Sequence, residues 1–221
     1  MFAKLPTWVL YGAVVLAFIA GIINATGFLG VQHEGITHLT GTTTLLGLAT
    51  ADFDLLQMLH FAAMIGAFIV GAIVSGAVIQ DSTLRLGRRY GIVLLAESFL
   101  LVAAVPLLLS GHVAGDYMAS AACGLQNAMV STYSGAVLRT THVSGTLTDI
   151  GIFIGHWLRG LPIDRRRLRL LLSLVLAFFA GAVIGAWLFH AFSYRALYLP
   201  AAATGLIGLG YTAWRQWQRG R

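Results

Sequence analysis

Six stretches of the chain are apolar for about twenty residues each, at 7–28, 55–80, 91–110, 117–138, 170–192 and 196–214. A helix of about 20 residues, rising 1.5 Å per residue, crosses the ~30 Å hydrocarbon layer of a bilayer, so each stretch predicts a spanning helix. Aromatic residues gather near the ends of these stretches: Trp8 and Tyr11, Tyr90, Tyr117, Tyr194 and Tyr198, Trp214 and Trp217. Such belts anchor helices at headgroup level. Two further segments, 37–50 and 142–158, are shorter and rich in Thr, Ser and Gly, and each reads as a thin span or a re-entrant hairpin. The first stretch, behind Met1 to Lys4, has the outline of a signal peptide. With no clear small-x-small cleavage site after it and an equally apolar chain beyond, it reads as the first span.

Composition points the same way. Of 221 residues, 58% are hydrophobic and 10% charged, against about 25% charged in soluble domains. The polar stretches between apolar runs are too short for a soluble domain. The net charge of +6 comes from arginines beside the spans: Arg85, Arg88 and Arg89, the group Arg159 to Arg169, and the tail Arg215 to Arg221. That placement is topogenic charge, so nucleic acid is not an expected partner and anionic headgroup contact is a by-product. With both short segments re-entrant, the chain crosses six times and both termini are cytoplasmic. Lys4, Arg85, Arg88, Arg89, Arg139, the Arg159–Arg169 group and the C-terminal arginines then lie inside, leaving only Arg195 of 14 basic residues outside. Eight crossings would force Arg85, Arg88, Arg89 and Arg139 out, so six crossings are expected. The single cysteine, Cys123, excludes an intramolecular disulfide and leaves the redox compartment open.

The chain also repeats itself. Gly21-Ile-Ile-Asn24-Ala25 returns as Gly124-Leu-Gln-Asn127-Ala128, Thr37-His-Leu-Thr-Gly-Thr42 as Thr141-His-Val-Ser-Gly-Thr146, and Gly71-Ala-Ile-Val as Gly181-Ala-Val-Ile, at offsets of 103, 104 and 110 residues. Each half is therefore span, short polar hairpin, span, span: residues 1–110 form a first membrane repeat and 111–221 a second, within one integral membrane domain. Three crossings per half invert the second repeat relative to the first, a recurring plan of secondary transporters with the substrate at the repeat interface. Irregular backbone at membrane depth is tolerated only where protein or a wet cavity satisfies it, and the two Thr-His-x-(Thr/Ser)-Gly-Thr segments are where it is expected.

Gly124-Leu-Gln-Asn-Ala, the stretch Thr140-Thr-His-Val-Ser-Gly-Thr-Leu-Thr-Asp-Ile-Gly151 and the earlier His38-Leu-Thr-Gly41 resemble the YoaK family of bacterial membrane proteins, which carry a domain of unknown function. The resemblance covers most of the chain and implies a six-span integral membrane protein. It also implies Asp where Asn24 stands and Asn where Thr42 stands, so this sequence lacks a potential charge in its first repeat, which puts an ion-coupling role there in doubt. It implies no substrate.

Polar groups inside a membrane are expensive and hence informative. Glu97 is the one acid in the middle of a long apolar stretch. Two roles are open to it: a proton-coupling or substrate-orienting acid, or a packing acid hydrogen-bonded to Ser98 or a backbone carbonyl. Asn24 and Asn127, at equivalent places, offer donors and acceptors to a solute or tie a broken helix to its neighbour. His38 and His142, also equivalent, are packing groups, substrate contacts or relays; no close Cys, carboxylate or second His completes a metal or haem ligand set. The expected substrate-binding set is Asn24, Thr37, His38, Thr40, Thr42, Gln126, Asn127, Thr141, His142, Ser144 and Thr146. Asp149, found only in the second hairpin, joins Glu97 as a candidate proton-coupling group or serves as a hairpin-end charge. Gly41 and Gly145 are expected at backbone bends. The glycines from Gly66 to Gly76 and from Gly181 to Gly185 read as faces for close helix packing.

The reading is thus an all-α, polytopic bundle of six spans and two short hairpins in the bacterial inner membrane. Its expected work is transport of a small-molecule or ion substrate, as a secondary transporter or channel with possible proton coupling. A membrane-embedded enzyme and a structural or assembly subunit are the rival classes; no nucleotide-loop, Gly-x-Ser-x-Gly or His-Glu-x-x-His motif occurs. No cofactor is expected, the bilayer is the expected surrounding, and a homo-oligomer stays open.

Overall fold

The computed structural model describes residues 7–30, 35–79, 89–134 and 139–219. Lys4, His33, Arg85, Arg88 and Arg221 lie outside them. The described residues are helical, with no strand: α1 (Thr7–Leu29), α2 (Leu39–Ala51), α3 (Leu55–Ile79), α4 (Arg89–Leu109), α5 (Ala114–Ser134), α6 (Val143–Leu158), α7 (Arg165–Phe192) and α8 (Tyr198–Arg219), with one 3-10 turn, Ser193–Leu197, between the last two.

Four runs are long and apolar enough to cross a membrane: Leu10–Leu29, Leu55–Ile79, Arg89–Leu109 and Arg165–Trp214. The last, at 50 residues, holds both α7 and α8. Large apolar side chains face outward on these helices, among them Leu56, Leu59, Ile69 and Ile73 on α3, Leu176 and Phe179 on α7, and Leu206 and Leu209 on α8. Soluble monomers rarely expose apolar surface on this scale; lipid tails match it without cost. The chain is a membrane protein. Helix α5 lies outside these four runs because it carries Asp116, Ser120, Gln126, Asn127, Ser131 and Thr132. It can afford them: most of its residues are buried against α3 and α4, so it needs little lipid-facing surface. Helices α2 and α6, with 13 and 16 residues, reach only about 20 and 24 Å at 1.5 Å per residue.

Helix α7 begins at Arg165, five residues before the apolar run. Asp164 caps it, its Oδ1 accepting the backbone N–H groups of Arg166 and Arg167 at 3.0 Å each, which satisfies two of the donors a helix start leaves open. Arg165 to Arg169 therefore form the first turns of α7 rather than a loop.

The helices pack with α1 on α7, α3 on α5, and α4 on both α8 and α5. A methyl at Gly21 would overlap the Phe178 carbonyl, and one at Gly124 the Phe68 carbonyl; a methyl at Gly71 would overlap the Ala121 carbonyl, and one at Gly181 the Phe18 carbonyl. Glycine lets backbone meet backbone at each crossing. Gly185 likewise abuts Ile22, whereas Gly66 and Gly76 face open space, so the expected packing face narrows to Gly71 on α3.

Candidate functional site

Between α1 and α2, and again between α5 and α6, the chain turns back before starting a short helix. The residue before each short helix is a histidine in nearly the same conformation: φ −96°, ψ 62° at His38 and φ −87°, ψ 61° at His142. Each carbonyl accepts from the threonine four residues on, through both N–H and Oγ1, at 3.1 and 3.3 Å from Thr42 and at 3.1 and 2.9 Å from Thr146. The bend falls on the histidines, not on Gly41 and Gly145, which lie in the first helical turn. What these glycines provide is room, since a Cβ on either would run into the imidazole of His38 or His142.

An asparagine on the preceding helix ties each turn down. Asn24 Oδ1 accepts from the N–H of Thr37 at 3.2 Å and from its Oγ1 at 2.9 Å. Asn127 Oδ1 accepts from Thr141 Oγ1 at 3.1 Å, while its Nδ2 donates to the Cys123 carbonyl at 3.2 Å. Both carboxamide oxygens are thus used internally.

The two turns face one cavity of about 740 Å³. Asn24, Thr37, His38, Thr40, Asn127, Thr141, His142 and Ser144 line it, together with Phe68 and Ala72 of α3, Phe178 of α7, Ala128, Ser131, Arg139 and Leu147. The volume lies in the range of small-molecule sites. A smaller cavity of about 330 Å³, bounded by Tyr11, Tyr90, Tyr133 and Tyr211 among apolar neighbours, offers little polar surface to orient a solute.

Other expected site residues lie elsewhere. Thr42 is buried beside Phe28 and Gly41, and neither it nor Thr146 lines the main cavity. Asp149 pairs with Arg167 at 2.8 Å, and that guanidinium also covers the Phe153 ring at 5.5 Å, so the acid fastens α6 to α7. Glu97 is fully buried in α4, and its partner is Gln126, whose Nε2 donates to Oε1 at 3.1 Å. Ser98 instead donates to the Ala201 carbonyl at 2.7 Å. Thr140 Oγ1 lies 3.0 Å from Gln126 Oε1 and 3.3 Å from Asn127 Oδ1, so its one proton is shared between two acceptors. A chain of polar groups therefore runs from Glu97 through Gln126, Thr140 and Asn127 to the cavity wall.

Residues 12–210 match a family model described as a protein of unknown function, DUF1275. The chain belongs to this family. Neither a curated protein nor a solved structure matches it. In this DUF1275 chain the polar route from Glu97 has no copy in the first half: at the offsets of the repeated motifs, Gln126 and Thr140 correspond to Ile23 and Ile36, both buried. Among the cavity residues outside the expected set, Arg139 carries the charge, and the sequence places it only among the topogenic arginines. The available signal was its place two residues before Thr141, where the first half has Gly35.

Proposed function

We propose that this DUF1275 protein is a secondary transporter or channel that moves a small solute across the bacterial inner membrane. The path is the cavity between two inverted repeats, and the six crossings are α1, α3, α4, α5, α7 and α8, with both termini cytoplasmic.

One observation carries the reading: equivalent residues of two sequence-similar segments line a single cavity. Two features support inverted repeats. The helix contacts exchange, α1 meeting α7 as α5 meets α3, with a glycine against a phenylalanine carbonyl in both; a twofold axis relating the halves has this consequence. The two short helices also start at the same cavity after matching histidine turns, the broken-helix arrangement of solute sites at repeat interfaces. Glu97 is the candidate proton-coupling group, linked to the cavity by hydrogen bonds without lining it.

The test is uptake by proteoliposomes from a panel of labelled neutral, cationic and anionic solutes. Saturable uptake of one class is expected, with at least a tenfold loss in a folded Ser144→Trp variant whose indole fills the cavity. Absence of uptake for every class, or uptake indifferent to that substitution, would contradict the proposal.

A further inference from the structure

We propose that the solute bound in this cavity is a small oxyanion, held by Arg139 and the N-terminal ends of α2 and α6. The inference rests on the transport reading for its path, while the binding chemistry follows from the cavity itself. Arg139 is exposed and lines the cavity, and no Asp or Glu is found among the described lining residues. A guanidinium presents a planar fork of donors that fits two oxygens of a carboxylate, phosphate or sulfate.

The remaining polar groups favour the same charge. Neither His38 nor His142 caps its helix through its side chain; the Val143 N–H donates to the Thr141 carbonyl at 3.0 Å, and the other first-turn N–H groups lack a capping side chain from these histidines. Thr40 and Ser144, in those first turns, line the cavity, which brings both helix ends to it. Each helix N-terminus carries roughly half a positive charge, favourable to anions. Asn24 spends its oxygen on Thr37, which leaves its amide NH2 as the part available to a solute. The cavity thus offers donors from both halves and a full positive charge from one, since Gly35 stands where the first half would carry a second arginine. An anion binds off-centre, nearer the second repeat.

The test titrates the purified full-length protein in a neutral, phosphate-free detergent with inorganic phosphate, sulfate, acetate and succinate, at constant ionic strength, and follows thermal unfolding. Urea and choline serve as neutral and cationic comparisons, and phosphatidylglycerol in mixed micelles separates a headgroup from a free solute. Saturable stabilisation by at least one free anion is expected, with affinity at least tenfold weaker in Arg139→Gln, partly restored in Arg139→Lys, and unchanged in Arg159→Gln, an exposed arginine outside the cavity. Stabilisation equal in Arg139→Gln, binding by urea or choline alone, a response to phosphatidylglycerol alone, or no saturable binding would each overturn the inference. Proteoliposome uptake separates the two readings: anion binding without uptake refutes transport and leaves the anion site, whereas uptake of a neutral solute without anion binding does the reverse.

Discussion

Glu97 holds its place through one carboxamide. Gln126 donates to Oε1, and Oε2 has no partner among the described residues. The acid itself was evident in the sequence as the lone carboxyl within an apolar run. Its partner was not, because Gln126 is 29 residues away on a helix whose contact with α4 no periodicity announces. Glu97→Gln keeps an acceptor for Gln126, so the fold is expected to persist within about 1 kcal/mol while the pH dependence of uptake flattens; unchanged pH dependence with intact uptake would leave Glu97 a packing role. Gln126→Ile, which copies the first half, strands a buried acceptor and should cost about 1–3 kcal/mol of stability. Adding Glu97→Leu should recover much of that loss, since replacing both partners of a buried polar pair by apolar groups is nearly neutral; chemical unfolding in detergent measures both. Arg139 shows the opposite limit of sequence reading: its charge was legible, but proximity to a span made it look topogenic until the turn before α6 brought it to the cavity.

Helix existence was legible where apolar runs reach spanning length, in α1, α3, α4, α7 and α8, whereas α2 and α6 are single short helices at segments that read as thin spans or hairpins. Boundaries moved where a cap overruled hydropathy, as at Asp164, which starts α7 within the arginine cluster. The repeated Gly-x-x-Asn and Thr-His motifs located the cavity, while the roles within them did not follow from sequence. Gly41 and Gly145 read as bends, yet they make room for imidazoles, a contact that depends on the side-chain direction of the residue three before. The glycines at the helix crossings give an element-scale prediction. Gly21→Ala and Gly124→Ala put a methyl into the facing carbonyls of Phe178 and Phe68, and overpacking of this kind costs about 1–3 kcal/mol. Gly66→Ala and Gly76→Ala meet nothing within 4 Å and should change stability by no more than about 1 kcal/mol, with helix propensity favouring Ala. Equal losses at all four sites, measured by thermal unfolding in detergent, would contradict the packing scheme.

At the scale of the whole molecule, the proposed path requires two segments about 104 residues apart in sequence to come to one cavity. Their similarity was legible, and so was the need to shelter irregular backbone inside a membrane. The exchange of partners, α1 with α7 and α5 with α3, was not, because apolar faces carry little record of which helix they meet. The most direct test combines single cysteines with flux. In a Cys123→Ser background, Thr40→Cys and Ser144→Cys are each reconstituted and treated with a membrane-impermeant thiol reagent, with Asp52→Cys and Arg166→Cys marking the two membrane faces. The account predicts that modifying either cavity cysteine lowers uptake at least tenfold, that saturating solute protects both, and that the two marker cysteines label from opposite sides without loss of flux. Full flux after both cavity cysteines are modified, or labelling of Asp52→Cys and Arg166→Cys from the same side, would contradict it.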